Sequence, residues 1–164
     1  MNTVKPGKKK TVSKKNIIDI RSERYNNNAP VQILPEPFLK DRMKIVKEIR
    51  KGISYTFFNE IQGKSPFTES EWAELLNIST KSLQRYKGSD NYRFKPLQSE
   101  RIIAMTEVMT AGLDLFGNAD RLKEWLNTPN FALGNLKPMD LLTDSYGKEL
   151  VMEELTRLNY GIFV

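Results

Sequence analysis

The chain has 164 residues, with 26 Lys and Arg against 20 Asp and Glu, and it contains no Cys and no His. These absences exclude a disulfide framework, a thiolate zinc site, a cysteine nucleophile and a Ser-His-Asp triad. No apolar run approaches the ~18 residues of a membrane helix, and no apolar stretch follows the basic N-terminus as it would in a secretory signal, so a cytoplasmic protein is expected.

The excess positive charge lies in the N-terminal segment. Residues 1–30 contain eight basic and two acidic side chains, and the rest of the chain is neutral. Because this segment has few large apolar residues, burial cannot offset the entropy of ordering it, and residues 1–35 are predicted to be a disordered basic tail. Two interpretations of the tail stay open: a solvated leader, or an arm that contacts DNA phosphates.

From residue 36 onwards the apolar spacing is helical almost throughout, which predicts an all-α protein. Gly52 is expected to interrupt or cap the first helix. That helix is predicted from one apolar stripe, formed by Leu39, Met43, Val46, Ile49 and Ile53.

The next helices are predicted from their terminal residues. Ser54 begins a helix that Gly63 ends, Thr68 and Glu71 form a capping box at the start of another, and Ser79 caps the helix after that. Residues 87–96 are polar and predict a loop.

The remaining helices follow this loop. A long helix is expected to end at Gly117, and a short one carries Leu122, Trp125 and Leu126. Pro138 begins a single turn, and Gly161 ends the last helix.

Residues 68–87 have the spacing of a helix-turn-helix. Ala73 is the small residue where the two helices cross, and Leu83 is an apolar residue that locks them together. Asn77 lies at the turn, where Asn tolerates left-handed backbone. Such a unit lays its second helix in the DNA major groove. The predicted DNA-contacting residues are Ser79, Thr80, Lys81, Ser82, Gln84, Arg85 and Lys87.

These residues are expected to contact different parts of the DNA. Lys81, Gln84 and Arg85 have the chemistry to contact base edges, since Arg and Lys suit guanine and Gln suits adenine. Lys87 and Ser79 suit phosphate. The alternative is an ordinary helical hairpin whose Lys and Arg form a solvated face. The basic tail and the net positive charge of residues 40–100 favour DNA binding.

Short motifs occur in a specific order and spacing along residues 97–164: Ser99-Glu100-Arg101, Phe116-Gly117, Trp125-Leu126-Asn127-Thr128-Pro129-Asn130, Leu133-Gly134, Pro138-Met139-Asp140-Leu141-Leu142, Gly147 and Leu158-Asn159-Tyr160-Gly161. With these motifs the region resembles the C-terminal domain of the Xre/MbcA/ParS antitoxins of bacterial toxin–antitoxin operons, and the helices from about residue 40 resemble the Xre-like DNA-binding domain of the same family. This resemblance implies a helix-turn-helix domain at 36–95, followed by a toxin-binding domain at 96–164.

The resemblance also implies partners. These are a cognate toxin, most often a RES-domain protein that degrades NAD, together with operator DNA and a second copy of the chain. A related toxin class transfers ADP-ribose. In such pairs the C-terminal region of the antitoxin covers the entrance of the toxin's active site, and the DNA-binding domain represses the shared operon.

The segment predicted to contact the toxin comprises Tyr160, Gly161, Ile162, Phe163 and Val164. A site for an anionic dinucleotide is normally cationic, so the Val164 carboxylate with Phe163 beside it has the chemistry to occupy it. The alternative is that Ile162 and Phe163 fold back onto the last helix.

Two other functions remain alternatives. A helix-turn-helix repressor without a toxin partner would have no toxic neighbour gene. An enzyme is disfavoured because adjacent Glu153 and Glu154 point to different faces of a helix, and Glu69 and Glu71 lie in a first turn where they complement the helix dipole. No catalytic residue, cofactor or metal site is predicted.

Overall fold

The protein is built from helices throughout the part that the structure, a computed structural model, describes: Ile33, residues 36–89 and residues 91–161. The helices are α1 (Glu36–Lys40), α2 (Arg42–Lys51), α3 (Tyr55–Gly63), α4 (Glu69–Leu75), α5 (Thr80–Lys87), α6 (Pro96–Phe116), α7 (Ala119–Leu126), α8 (Pro138–Leu141) and α9 (Ser145–Tyr160), with a 3₁₀ turn (Phe131–Leu133) before α8. Within these ranges there is no β-strand, only two isolated bridges. The all-α prediction is confirmed, and apart from buried Ile33 the predicted tail lies outside the described residues.

Predicted helix ends are present where a capping side chain or a left-handed glycine determines them. The Ser54 hydroxyl accepts a hydrogen bond from the Phe57 amide at 3.3 Å, which caps α3. Thr68 and Glu71 form both hydrogen bonds of the capping box at the start of α4. Gly161 ends α9 in the left-handed conformation, with φ 70°.

The single apolar stripe predicted for the first helix is only partly confirmed: Leu39, Ile49 and Ile53 lie in or against the core, but the predicted helix is divided in two. Asp41 separates α1 from α2 by capping α2, since its carboxylate accepts a hydrogen bond from the Lys44 amide at 3.0 Å. The helix that follows is therefore rotated relative to the predicted stripe. Its core residue is Ile45, whereas Met43 and Val46 are 65% and 38% exposed.

An aromatic cluster forms the core of the N-terminal half. The ring of Phe58 on α3 lies 5.1 Å from that of Trp72 on α4 and 5.0 Å from that of Phe94. Phe94 belongs to the segment predicted to be a polar loop, yet it is only 1% exposed. It therefore joins the loop after α5 to the core.

Ser99 on α6 connects this loop to the end of α2. Its hydroxyl accepts a hydrogen bond from the Ile53 amide at 2.9 Å and donates one to the Phe94 carbonyl at 3.1 Å. The side chain is fully buried, so both backbone groups depend on it for a partner. Helix α6 also packs against α2 on one side and α9 on another, and so contributes to both halves of the protein.

The C-terminal half is assembled around α9, which packs on α6, on α8 and on the 3₁₀ turn. Helix α9 approaches α8 closely at Gly147, where an added Cβ would lie 2.0 Å from the carbonyl oxygen of Leu141. Glycine thus permits α8 and α9 to touch through their backbones. None of the helices within the described ranges is long and apolar enough to cross a membrane.

Candidate nucleic-acid interface and C-terminal surface

The turn between α4 and α5 has the geometry that the sequence predicts for a helix-turn-helix. Asn77 adopts the left-handed conformation with φ 53°. The Ile78 amide donates a hydrogen bond to the Ala73 carbonyl at 2.9 Å, which closes the turn. Ala73 and Leu83 are 2% and 0% exposed, so the crossing point and the locking residue are both in the core.

The predicted DNA-contacting residues lie on α5 and its cap, but they are not equally accessible. Lys81, Gln84, Arg85 and Lys87 are exposed, and Thr80 and Ser82 are half-buried. Ser79 is exposed, and its hydroxyl accepts a hydrogen bond from the Ser82 amide at 3.1 Å and lies 2.9 Å from the Ser82 hydroxyl. Those two hydroxyls therefore already stabilise the first turn of α5. The outward basic groups are the more available contacts for DNA.

Arg85 is supported by an aromatic pair. Its guanidinium carbon lies 5.6 Å from the centroid of the Tyr86 ring, within cation–π range. Tyr86 in turn stacks on Tyr92, with ring centroids 3.6 Å apart. The side-chain hydrogen bond from Tyr92 lowers the pKa of Tyr86, whereas burial raises the pKa of Tyr92. Tyr86, itself stacked on Tyr92, thus provides an aromatic face for the Arg85 guanidinium.

A contact that the sequence does not reveal joins the two helices of the motif. The Gln84 side-chain amide Nε2 donates a hydrogen bond to Glu69 Oε2 at 3.3 Å. From the sequence, Glu69 is expected only to complement the dipole of α4. Glu69 and Gln84 are fifteen positions apart, and nothing in that spacing indicates that their side chains meet. The charge of Glu69 also adds to the effect of burial in raising the pKa of Tyr55.

The predicted toxin-contacting segment is only partly described by the structure. Tyr160, the last residue of α9, is 73% exposed. The Gly161 amide donates a hydrogen bond to the Leu158 carbonyl at 3.1 Å, and the helix ends at this glycine. Ile162, Phe163 and Val164 lie outside the described residues.

Other large apolar side chains of the C-terminal half are exposed, and the sequence analysis did not single them out. Tyr146 and Leu150, one turn apart on α9, are 81% and 48% exposed. Phe131, the first residue of the 3₁₀ turn, and Leu136, which follows the turn, are 77% and 51% exposed. Exposed apolar groups of this size are typical of surfaces that bind proteins.

A buried carboxylate holds the loop that carries Phe131. Glu154 on α9 is 5% exposed, and its Oε1 accepts a hydrogen bond from the Asn130 side-chain amide at 3.2 Å. Its Oε2 lies 3.3 Å from a guanidinium nitrogen of Arg157. The loop is therefore positioned by a polar contact with the last helix. Within the described residues, no cluster of three or more potential metal ligands is present.

Family models match both halves of the chain. Residues 44–105 match the antitoxin Xre-like helix-turn-helix domain, and residues 111–161 match the antitoxin Xre/MbcA/ParS C-terminal toxin-binding domain. The N-terminal match includes the turn at Asn77, and the C-terminal match includes α7 to α9.

Individual relatives cover most of the same length. An antitoxin Xre from Yersinia enterocolitica is 32% identical over 73% of this chain and 80% of its own. An antitoxin Xre from Photorhabdus laumondii is 29% identical over 70% of this chain and 77% of its own. A protein named Prs ADP-ribosylating antitoxin, from a Sphingobium species, is 24% identical over 75% of this chain and 80% of its own.

Proposed function

The chain belongs to the Xre family of antitoxins and combines a helix-turn-helix domain with a toxin-binding domain, and on this premise we propose that it neutralises a cognate toxin by covering its active site. The observation that carries the proposal is the match of residues 111–161 to the toxin-binding domain. The proposed boundaries are 36–95 for the DNA-binding domain and 96–164 for the toxin-binding domain, with 1–35 as a basic tail.

The covering element is the segment from Tyr160 to Val164. The exposure of Tyr160 and the end of α9 at Gly161 support this assignment, because they leave an accessible aromatic side chain at the start of the segment. Phe163 and the residues beside it supply apolar contact area. Under this proposal the antitoxin acts by occupying the toxin's site and has no catalytic role of its own.

A truncation ending at Tyr160 tests the covering element. The truncated chain is expected to fold, as judged by circular dichroism, but to lose neutralisation when it is co-expressed with the toxin encoded by the adjacent gene. Tyr160→Ala is expected to weaken the complex, while Glu153→Ala is the control because that side chain is exposed on the same helix but lies outside the covering segment. A folded truncation that still neutralises the toxin would contradict the proposal.

The toxin is proposed to be a RES-domain protein that degrades NAD. The name of the Sphingobium relative points to the other chemistry, ADP-ribosylation, and both chemistries act on the same dinucleotide. Incubating the toxin with labelled NAD, alone and together with a cell lysate that supplies acceptor proteins, distinguishes them. A RES-type toxin consumes NAD without an acceptor protein, whereas an ADP-ribosyltransferase leaves a labelled protein product.

The helix-turn-helix is proposed to repress the operon that encodes the pair. The exposed Lys81, Gln84 and Arg85 support contacts with bases, and the exposed Lys87 and Ser79 support contacts with DNA phosphates. Arg85→Ala is expected to weaken binding to the upstream DNA by about 1–3 kcal/mol in an electrophoretic mobility shift. Lys123→Ala, an exposed change on α7, is the control, and equal loss in both variants would contradict a specific role for α5.

The protein is further proposed to act in the cytoplasm as a homodimer. Met43 and Val46 on α2 supply exposed apolar surface for a second copy. Light scattering during size-exclusion chromatography tests this, with Met43→Glu expected to shift the mass from two chains to one. A wild-type mass of one chain would contradict it.

A further inference from the structure

The contact between Glu69 and Gln84 joins the first helix of the motif to the surface that faces DNA. Of the three carboxylates on α4, Glu71 accepts the hydrogen bond of the capping box and Glu74 is exposed. Glu69 instead lies at the start of α4, where its Oε2 accepts the Gln84 amide at 3.3 Å. The capping box fixes the backbone on both sides of Glu69, so the carboxylate approaches Gln84 from a fixed helix end.

A carboxylate determines which way a neighbouring amide turns. An ionised carboxylate only accepts hydrogen bonds, so it pairs with the amide NH₂ and not with the amide oxygen. With Nε2 directed at Glu69, the Oε1 of Gln84 points away from it. An isolated glutamine can rotate its amide by half a turn and present either group to DNA. Glu69 removes that freedom.

The fixed orientation distinguishes the two purines. Adenine presents an N6 donor and an N7 acceptor in the major groove, whereas guanine presents acceptors at both O6 and N7. An outward Oε1 accepts from adenine N6, and the second Nε2 hydrogen remains for N7. At guanine the same Gln84 oxygen would face the O6 acceptor and could form no hydrogen bond with it. The amide cannot rotate to present its NH₂ group instead without breaking the hydrogen bond to Glu69.

We propose that Glu69 is a positioning residue for DNA recognition, which holds the amide of Gln84 so that it selects adenine over guanine at the base pair it contacts. This inference rests on the proposed DNA-binding function of α5. It also explains why a negatively charged carboxylate lies beside a surface that is proposed to approach the negatively charged phosphates of DNA. Its charge lowers affinity for every DNA sequence, while its hydrogen bond excludes one class of base.

The test is selection of randomised duplex DNA by the full chain, followed by dissociation constants for the selected duplex and its single-base variants. Gln84→Ala identifies the base pair that Gln84 contacts, as the position where preference is lost. At that pair the wild type is expected to favour adenine over guanine by about five- to 150-fold. Glu69→Ala is expected to reduce this ratio by about fivefold or more, because the amide is then free to turn.

Glu74→Ala is the matched control, since it removes the same charge from the same helix without touching Gln84. Both alanine variants are expected to bind all sequences more tightly, and only Glu69→Ala changes the ratio of adenine to guanine. An unchanged ratio in Glu69→Ala, or guanine selected by the wild type, would overturn the inference while leaving the DNA-binding function in place. Failure of the wild type to select any sequence would instead overturn the proposed function itself.

Discussion

Substitution of Gly147 by alanine tests the close backbone approach of α8 and α9. The added Cβ would lie 2.0 Å from the Leu141 carbonyl oxygen and 2.8 Å from its carbon. Cβ atoms essentially never approach another heavy atom within 3.0 Å, so α8 and α9 would have to separate by about 1 Å. Neither helix end can yield easily, because the obstructing atoms are backbone.

The expected cost follows from two opposing effects. Alanine is a better helix former than glycine by about 1 kcal/mol. Overpacking against a rigid neighbour costs about 1–3 kcal/mol and sometimes more. Since the clash here is with backbone, we place the cost at about 3 kcal/mol, so the net loss is about 2 kcal/mol, which lowers the melting temperature of a chain of this length by about 4–8 °C.

Thermal unfolding followed by circular dichroism measures this loss. Gly63→Ala is the matched control, because Gly63 is also helical and an added Cβ there meets no atom within 4 Å. That variant is expected to melt at or slightly above the wild-type temperature. If Gly147→Ala melts within about 2 °C of Gly63→Ala, the close approach of α8 and α9 is not present in solution and the reasoning fails.

Two further substitutions test the N-terminal half. Ser99→Ala is expected to lower the free energy of unfolding, measured in urea, by about 1–3 kcal/mol, because the buried Ile53 amide loses its acceptor. Ser70→Ala, at an exposed position, is the control. Equal stability of the two variants would contradict the burial of this hydrogen bond. Asn77→Val is expected to cost about 1–2 kcal/mol because a β-branched residue is strained at positive φ, whereas Asn77→Gly should be tolerated. Equal melting temperatures for the two Asn77 variants would show that the turn is not left-handed.

The sequence predicted the features whose causes are local. A capping hydroxyl lies three residues from the amide it binds, as for Ser54 and Thr68. The left-handed turn at Asn77 and the helix end at Gly161 depend on the conformational range of single residues. For the same reason the helix-turn-helix was predictable as a fold, since its framework lies within twenty consecutive residues.

The sequence did not predict features that depend on which elements meet. Apolar spacing across residues 39–53 predicted one stripe, but the helix restarts after Asp41 and only packing against α6 determines that Ile45 is buried. Phe94 lies in a polar segment and enters the core because Ile53 and Ser99 hold its backbone. The orientation of Gln84 likewise depends on a carboxylate from another helix.

Helix α6 has a consequence for how the protein unfolds. It begins within the segment that matches the helix-turn-helix domain and ends within the segment that matches the toxin-binding domain, with no intervening linker. One continuous helix therefore belongs to both cores, and loss of either core removes packing from the other.

The two tryptophans lie in different halves of the protein. Trp72 is in the aromatic cluster of the N-terminal half, and Trp125 packs at 5.6 Å against the Phe116 ring at the end of α6. Single-tryptophan variants made with Trp72→Phe and Trp125→Phe thus report the two halves separately. Coincident denaturation curves within each variant, by fluorescence and by circular dichroism, are the signature of a single cooperative unit. The DNA-binding and toxin-binding halves would then share one folding equilibrium, so a partner that stabilises one half also stabilises the other.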